Sequence, residues 1–384
     1  MKKNKILAVF PVGNIDQYLK KGEFKRRYFN PDNYFDDVHL FNLSSKVFSE
    51  EEKTKISLMT GNAKLFIHSL GDYSFKKSFL FRHKLARKAS HILKGVNPSV
   101  IRSYGNSIEG YLGMYCAKKL HIPFILSMHT HMENDHRVLP RIDKEYSKFI
   151  FYSLWKPIEK KILFSADIIL CVYKYTQSYV LSMGISKNKT RQMYNRVYLD
   201  QYKPLPDLRN KEFTLINVSN MTVGKNQGTL IKAVAPIKDV KLILVGSGPE
   251  FNNFKKLANN LNADNVEFIP KINNEDLPKY YNKAHAFITA IRHGGIGIPP
   301  LEAMACGLPI ITPKPLFERT PELVGDIALV PKNDPESFRK AILKLKNNPS
   351  LQKEMSKKSL ELMKTISGDK MEHYEKSAYE EVTR

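Results

Sequence analysis

Arg292-His-Gly-Gly-Ile-Gly-Ile-Pro-Pro-Leu-Glu-Ala-Met-Ala-Cys-Gly-Leu-Pro-Ile-Ile311 is the stretch on which the rest of the chain turns. Gly294, Gly295 and Gly297 predict a loop. Pro299 and Pro300 open a helix that stops near Gly307, and a strand follows over 308–312. Because glycine has no Cβ, the backbone N–H groups from Gly294 through Ile296 and Gly297 to Ile298 can approach a ligand closely. The helix start beyond them adds unpaired N–H groups and the positive end of a dipole. Such an arrangement favours an anion, most simply a diphosphate, although an ordinary loop entering a core helix fits these residues equally well.

Outward from that stretch, strands and helices alternate. Apolar runs at 5–12, 38–43, 64–70, 99–104, 123–131 and 166–173 read as strands of one domain. Runs at 213–219, 240–246, 265–269, 286–289 and 308–312 read as strands of a second. The polar, proline-marked segment Pro204-Leu-Pro-Asp-Leu-Arg-Asn-Lys211 is the best boundary, which divides the chain into 1–204 and 205–369. A last helix at about 370–384, with Met371, Tyr374, Ala378 and Val382 on one face, is expected to pack back on the first domain. In such α/β sheets ligands gather at the carboxyl ends of strands, which draws attention to Gly13 after the first strand and His129 after the fifth.

The segment 295–307 resembles the donor-site signature of retaining GT-B glycosyltransferases of family 4, whose usual form is Glu-Gly-Phe-Gly-x-Pro-x-x-Glu-Ala-Met-Ala-x-Gly. Gly295, Gly297, Pro299, Glu302, Ala303, Met304, Ala305 and Gly307 fall on it in register, and Ile296 stands at the usual Phe. The resemblance implies two Rossmann-like domains facing each other across a cleft, and transfer of a sugar from a nucleotide diphosphate with retention and without a metal. It implies that Glu302 binds the ribose. The first signature glutamate, which touches the transferred sugar, is replaced here by Gly294. In Ser219-Asn-Met-Thr-Val-Gly-Lys-Asn226 the family's phosphate-pairing Arg is Asn220, while its Lys is kept as Lys225. Gly248 matches a Gly-x-Gly-Pro turn, and Lys271 and Ile272 lie where the family reads the base. Asn195 and Val197 match a crossing segment, with Arg196 at its usual glycine; Pro321, Glu322, Gly325 and Asp326 also follow the pattern. His129 matches a histidine near the donor phosphates. His129, Lys225 and Glu302 are accordingly the expected catalytic group.

UDP- or GDP-sugar is the expected donor, as a substrate, and no cofactor is implied. His129, His131 and His136 lack a cysteine or carboxylate to complete a metal set, and the chain has no Asp-x-Asp. Cys116, Cys171 and Cys306 sit singly in apolar surroundings, as buried thiols of a reducing compartment do.

The net charge of +23 is uneven: residues 1–200 hold 34 lysines and arginines against 17 acids. Between Asp72 and Glu109 there is no acid at all. Phe81, Leu85, Ala89 and Ile92 or Leu93 recur there at helical spacing, with Lys77, Arg82, Lys84, Arg87 and Lys88 around them. A solvated face would look like this, and so would a helix lying on an anionic membrane. No run approaches the ~18 apolar residues of a membrane span. The expectation is a cytoplasmic protein, peripheral on the inner membrane face, acting on a glycan or lipid-linked acceptor. A GT-B protein that binds nucleotide without transferring sugar is the alternative. Charge alone would admit nucleic acid, but no recognition motif for it is present.

Overall fold

Val100–Tyr104, Phe124–Met128 and Ile168–Val172 are buried at every residue. Strands covered on both faces belong inside a parallel sheet flanked by helices. The computed structural model, which describes residues 4–21, 24–292, 294–316, 322–323 and 327–384, has two such sheets. The first joins β1 (Ile6–Phe10), β2 (Asp37–Asn42), β3 (Lys64–Ser69), β4 (Val100–Tyr104), β5 (Phe124–Met128), β6 (Ile168–Val172) and β7 (Thr190–Met193) in the order β3-β2-β1-β4-β5-β6-β7. The second joins β8 (Phe213–Val218), β9 (Val240–Val245), β10 (Val266–Ile269), β11 (Ala286–Ile288), β12 (Ile310–Ile311) and β13 (Ala328–Leu329) in the order β10-β9-β8-β11-β12-β13. Every described strand pair is parallel, from Leu7 beside Val100 to Phe213 beside Val240. Each order reverses once, between β1 and β4 and between β8 and β11, which are the switch points of doubly wound folds.

The chain divides into two compact units, Met1–Tyr194 with Met371–Arg384, and Asn195–Lys370. The first crossing thus lies at Tyr194, ahead of the proline-marked segment at Pro204. Inside the second unit, the Gly368 N–H donates to the Val197 carbonyl at 2.7 Å, so the outgoing and returning segments are tied together. A Cβ on Gly368 would meet the Tyr198 ring at 2.8 Å. Sequence reading missed β7, Thr-Arg-Gln-Met at the edge of its sheet, because its residues are polar, and β13, because it is two residues long.

The acid-free stretch forms two helices where one was expected. Phe75–Leu80 and Arg82–Val96 meet at Phe81, whose φ of −93° and ψ of 14° leave the helical region. Phe81 is exposed, and the core face of the second helix is Leu85, Ala86, Ala89, Ser90 and Leu93. Lys77 is on the shorter helix, while Lys84, Arg87 and Lys88 are exposed on the longer one. Arg82 is drawn inward: it donates to the Phe79 carbonyl at 2.9 Å and lies over the Tyr111 ring.

The terminal helix Gly368–Val382 belongs to the first unit from Met371 onward, on a face turned from the one expected. Tyr374 is exposed, and the buried positions are Glu372, Glu375, Ala378 and Tyr379. Two carboxylates enter because two arginines meet them. Arg27 pairs with Glu372 at 2.8 Å. Arg102, on β4, pairs with Glu375 and also donates to Tyr379 at 2.5 Å and to Ser127 at 2.7 Å. Removing one member of a buried pair leaves an uncompensated charge, which costs about 3–5 kcal/mol. Glu375→Ala is therefore expected to destabilise the protein by about that amount in urea unfolding, and Arg102→Met with Glu375→Met by less. A double substitution that costs as much as the two singles together would show that the charges are not coupled.

Candidate functional site

In a parallel sheet every strand delivers its next loop to the same edge. In the second unit this edge collects most of the residues expected at the donor site. Ser219–Lys225 follows β8, Gly246–Gly248 follows β9, Lys271 and Ile272 follow β10, and 291–297 follows β11. At the switch point itself, the Asn217 amide reaches from β8 to the Ile288 carbonyl of β11 at 2.7 Å. The N–H of Arg292 then bonds the Gly224 carbonyl at 3.4 Å, so the glycine loop lies against the turn Val223–Lys225. Asn226 bonds Asn333 at 3.2 Å, and Asn333 donates to the Ala290 carbonyl at 3.0 Å, closing the link from the other side.

Lys225 is half-buried, burial lowers its pKa, and its ammonium has no hydrogen-bond or ion-pair partner among the described residues. A cation held half out of water beside backbone donors is a place for an anion. Asn220 is exposed on the same loop, its carbonyl bonded by Gln227 at 3.0 Å.

Gly297, with φ +74°, turns the chain into the helix Ile298–Ala305. Pro299 and Pro300 have no N–H, so the helix start offers fewer donors than glycine-loop logic alone implies. Ile298 and the loop ahead of it supply them. Gly294 and Ile296 are buried, and the cavity behind the loop holds about 20 Å³, room for a water at most. A Cβ on Gly295 would meet nothing within 4 Å. The open side of the loop is therefore at Gly295. Glu302, one turn into the helix, is buried, and its Oε2 accepts from Tyr281 at 2.9 Å; Tyr202 also bonds it. These tyrosines hold the carboxylate still, and nothing in the sequence pointed to them. Lys271 is exposed and Ile272 half-buried, both beyond an edge strand two strands from β8, about 10 Å away. Gly248 serves packing: a Cβ there would sit 2.3 Å from the Met221 carbonyl oxygen. His293, Pro321, Gly325 and Asp326 lie outside the described residues.

Gly13 and His129 belong to the first unit, where the β1/β4 switch point opens a crevice of about 460 Å³. Gly13 (φ +69°) and Asn14 line one side, Tyr104 to Glu109 another, and His129, Thr130 and Met132 a third. His129 stacks on Tyr104, and its Nε2 is covered without a hydrogen-bond partner. Burial first, then the Arg102 charge, pushes its pKa down to about 4, against the pull of Glu375. It acts as a neutral imidazole. His131 stacks on Tyr175 and His136 packs at a tilt against Tyr152, so the three histidines are held by three different rings. Glu109, a residue the sequence reading passed over, is the buried carboxyl of this crevice. Burial pushes its pKa up to about 7, although N–H bonds from Ser107 and from its own backbone oppose that. The loop Gly105-Asn-Ser107 after a buried strand was the available signal.

Residues 36–201 match the family described as Glycosyltransferase Family 4, and residues 200–361 match Glycosyl transferases group 1. The chain belongs to the group 1 glycosyltransferases. This glycosyltransferase is 28% identical over 267 residues to the alpha-monoglucosyldiacylglycerol synthase of Streptococcus pneumoniae, a match covering 64% of this chain and 58% of the relative. It thus spans little more than half of that relative's length. Sucrose-phosphate synthase of Thermosynechococcus elongatus has the same fold, with a TM-score of 0.78 at 17% identity over 99% of both chains. HepE of Anabaena in complex with UDP-glucose gives a TM-score of 0.74 at 13% identity, over 99% of this chain and 100% of that one. The fold is GT-B.

Two glycines separate packing from binding. Gly295→Ala is expected to leave the melting temperature of the glycosyltransferase unchanged and to weaken UDP or GDP binding. Gly248→Ala is expected to lower the melting temperature. A Gly295→Ala protein with unaltered nucleotide affinity would remove the loop from the site. Glu109 makes a pH-dependent contribution: its raised pKa keeps it protonated in the folded state between about pH 4.5 and 7, while the unfolded chain ionises. Stability is lost as pH rises through that window. Unfolding of Glu109→Gln across pH 5–7 should show a flatter profile than that of the unsubstituted protein.

Proposed function

We propose that this glycosyltransferase moves a sugar from a nucleotide diphosphate, UDP or GDP, to a glycan or lipid-linked acceptor, with retention and without a metal, in the synthesis of surface polysaccharide or glycolipid. The observation that carries the reading is Lys225, a half-buried ammonium without a counter-charge among the described residues, tied through Gly224 to the glycine loop at the switch point. As the glycosidic bond breaks, negative charge gathers on the leaving diphosphate. Lys225 and the N–H groups of Gly295 to Ile298 meet it there without reorganising, which lowers the barrier. Glu302, held by Tyr281, takes the ribose hydroxyls. His129, neutral and with an unpartnered Nε2, bonds a sugar hydroxyl. The UDP-glucose bound by the structural neighbour supports a nucleotide-sugar donor. The glycolipid synthase among the relatives supports a lipid acceptor.

Gly294 and Asn220, each in place of a usual contact, support a weaker grip on the donor sugar and on one phosphate. A protein that binds nucleotide and turns over no donor would favour the non-catalytic alternative.

The protein lies on the inner face of a membrane in this reading. Among the described residues no helix is long and apolar enough to cross one. Lys77, Lys84, Arg87 and Lys88 are exposed on two adjoining helices with no acid between Asp72 and Glu109, and the exposed Leu80 and Phe81 lie at the junction. Cations beside apolar side chains suit anionic lipid.

Lys225→Ala is expected to lower kcat/KM by about 10²–10³-fold, with the melting temperature unchanged or raised because no hydrogen bond or ion pair among the described residues is lost and a half-buried charge is removed. An unaffected kcat/KM on a working donor would exclude the diphosphate role. Each membrane-facing cation contributes about 1 kcal/mol. Changing Lys77, Lys84, Arg87 and Lys88 together to Gln should weaken binding to anionic vesicles about a hundredfold or more. Arg82, bonded inward, should matter little. Equal vesicle binding by the quadruple variant would mark the helices as merely solvated.

A further inference from the structure

The crevice at the β1/β4 switch point has a property that the rest of the molecule would not suggest. The chain carries 61 lysines and arginines and a net charge of +23, yet among the described residues not one lysine or arginine lines this crevice. We propose that it holds the head of the sugar-accepting molecule, that this head is an uncharged, hydroxyl-bearing group such as a glycosyl or glycerol unit, and that the crevice rejects heads carrying phosphate. The inference rests on the glycosyltransferase reading above and narrows its acceptor.

The size suits a small head group, since about 460 Å³ lies within the usual range of small-molecule sites. The polar groups suit hydroxyls. His129 Nε2 and His136 Nδ1 are both covered and without a hydrogen-bond partner. Both imidazoles are pushed down to about 4, in each case chiefly by burial, so they are neutral. A neutral imidazole nitrogen donates or accepts according to tautomer, and a hydroxyl does both, so each can complete the other. Tyr152, tilted at 36° against His136 with 4.5 Å between ring centres, lines the crevice and adds aromatic surface for an apolar sugar face.

A phosphate would find the opposite. Its natural berth would be the start of the helix Ile108–Leu120, where backbone N–H groups and the dipole favour an anion. That berth is already taken: the Glu109 carboxyl accepts the Ser107 N–H at 3.2 Å and bonds its own backbone N–H as well. The cations that bear on the two histidines are also committed. Arg102 is paired with Glu375, Arg137 with Glu159 at 2.9 Å, and Lys148 with Glu145 at 3.2 Å. An incoming phosphate would give up its water for a site with, among the described residues, no free cation and a carboxyl in place of donors, which is a large cost.

The test compares matched pairs that differ only in a phosphate: monooctanoylglycerol against its 3-phosphate, and octyl glucoside against its 6-phosphate, each below its micelle concentration. Binding to the intact protein at pH 7.5 is read by ligand-observed NMR titration, with UDP and GDP affinities measured on the same samples. The neutral member of at least one pair should bind ten or more times tighter than its phosphate. Gln17→Arg, which sets a cation at the exposed rim beside Gly13, should narrow that ratio to about threefold or reverse it. Equal or tighter binding of the phosphates to the unsubstituted protein, or no binding of either pair while nucleotide still binds, would overturn the inference and leave the transferase reading standing. Failure to bind any nucleotide would count against the transferase reading itself.

Discussion

Both candidate crevices exist because of one constraint: parallel strands send all their following loops to a single edge, and where strand order reverses, neighbouring loops run apart. In the first unit this happens between β1 and β4, in the second between β8 and β11. Each gap is kept open by specific bonds. Asn217 bridges the strand ends in the second unit, where β8 and β11 separate. In the first unit, Arg102 on β4 is fixed by Glu375, Tyr379 and Ser127, so the strand beside the gap cannot shift without exposing a paired charge.

The two gaps treat charge in opposite ways. In the second unit Lys225 has no partner among the described residues, and the adjoining loop presents backbone donors. In the first, the nearest arginines are neutralised by Glu375 and Glu159, the histidines are held uncharged, and a carboxyl caps the helix start. The overall charge of +23 therefore says little about either crevice. What matters is which cations have been spent on partners inside the protein and which have not.

The strands could be read from the chain because buried parallel strands are continuous apolar runs, and β4, β5 and β6 are buried throughout. The glycine loop could be read because Gly297 needs a positive φ and Pro299 starts a helix. Residues whose role depends on a distant partner could not. Tyr281 is 21 residues from Glu302 and Arg102 is 273 from Glu375, so no local spacing connects them. The break at Phe81 was hidden because a periodic pattern runs through it, and the turned face of the terminal helix because glutamates count as outward until their arginines are known. Gly248 was legible as a glycine of the site edge, but its close approach to Met221 is a packing demand that a motif cannot distinguish from binding.

Glu302 makes the same point about chemistry. A buried carboxylate alone would either take up a proton or swing toward the nearest donor. Bonded by Tyr281 and Tyr202, it has its position set before any ligand arrives. Lys225 is prepared by the reverse device, a charge kept half out of water with no hydrogen-bond or ion-pair partner among the described residues. One group is fixed by satisfying it and the other primed by leaving it unsatisfied. Together they place a hydroxyl acceptor and an anion site along the same edge of one parallel sheet.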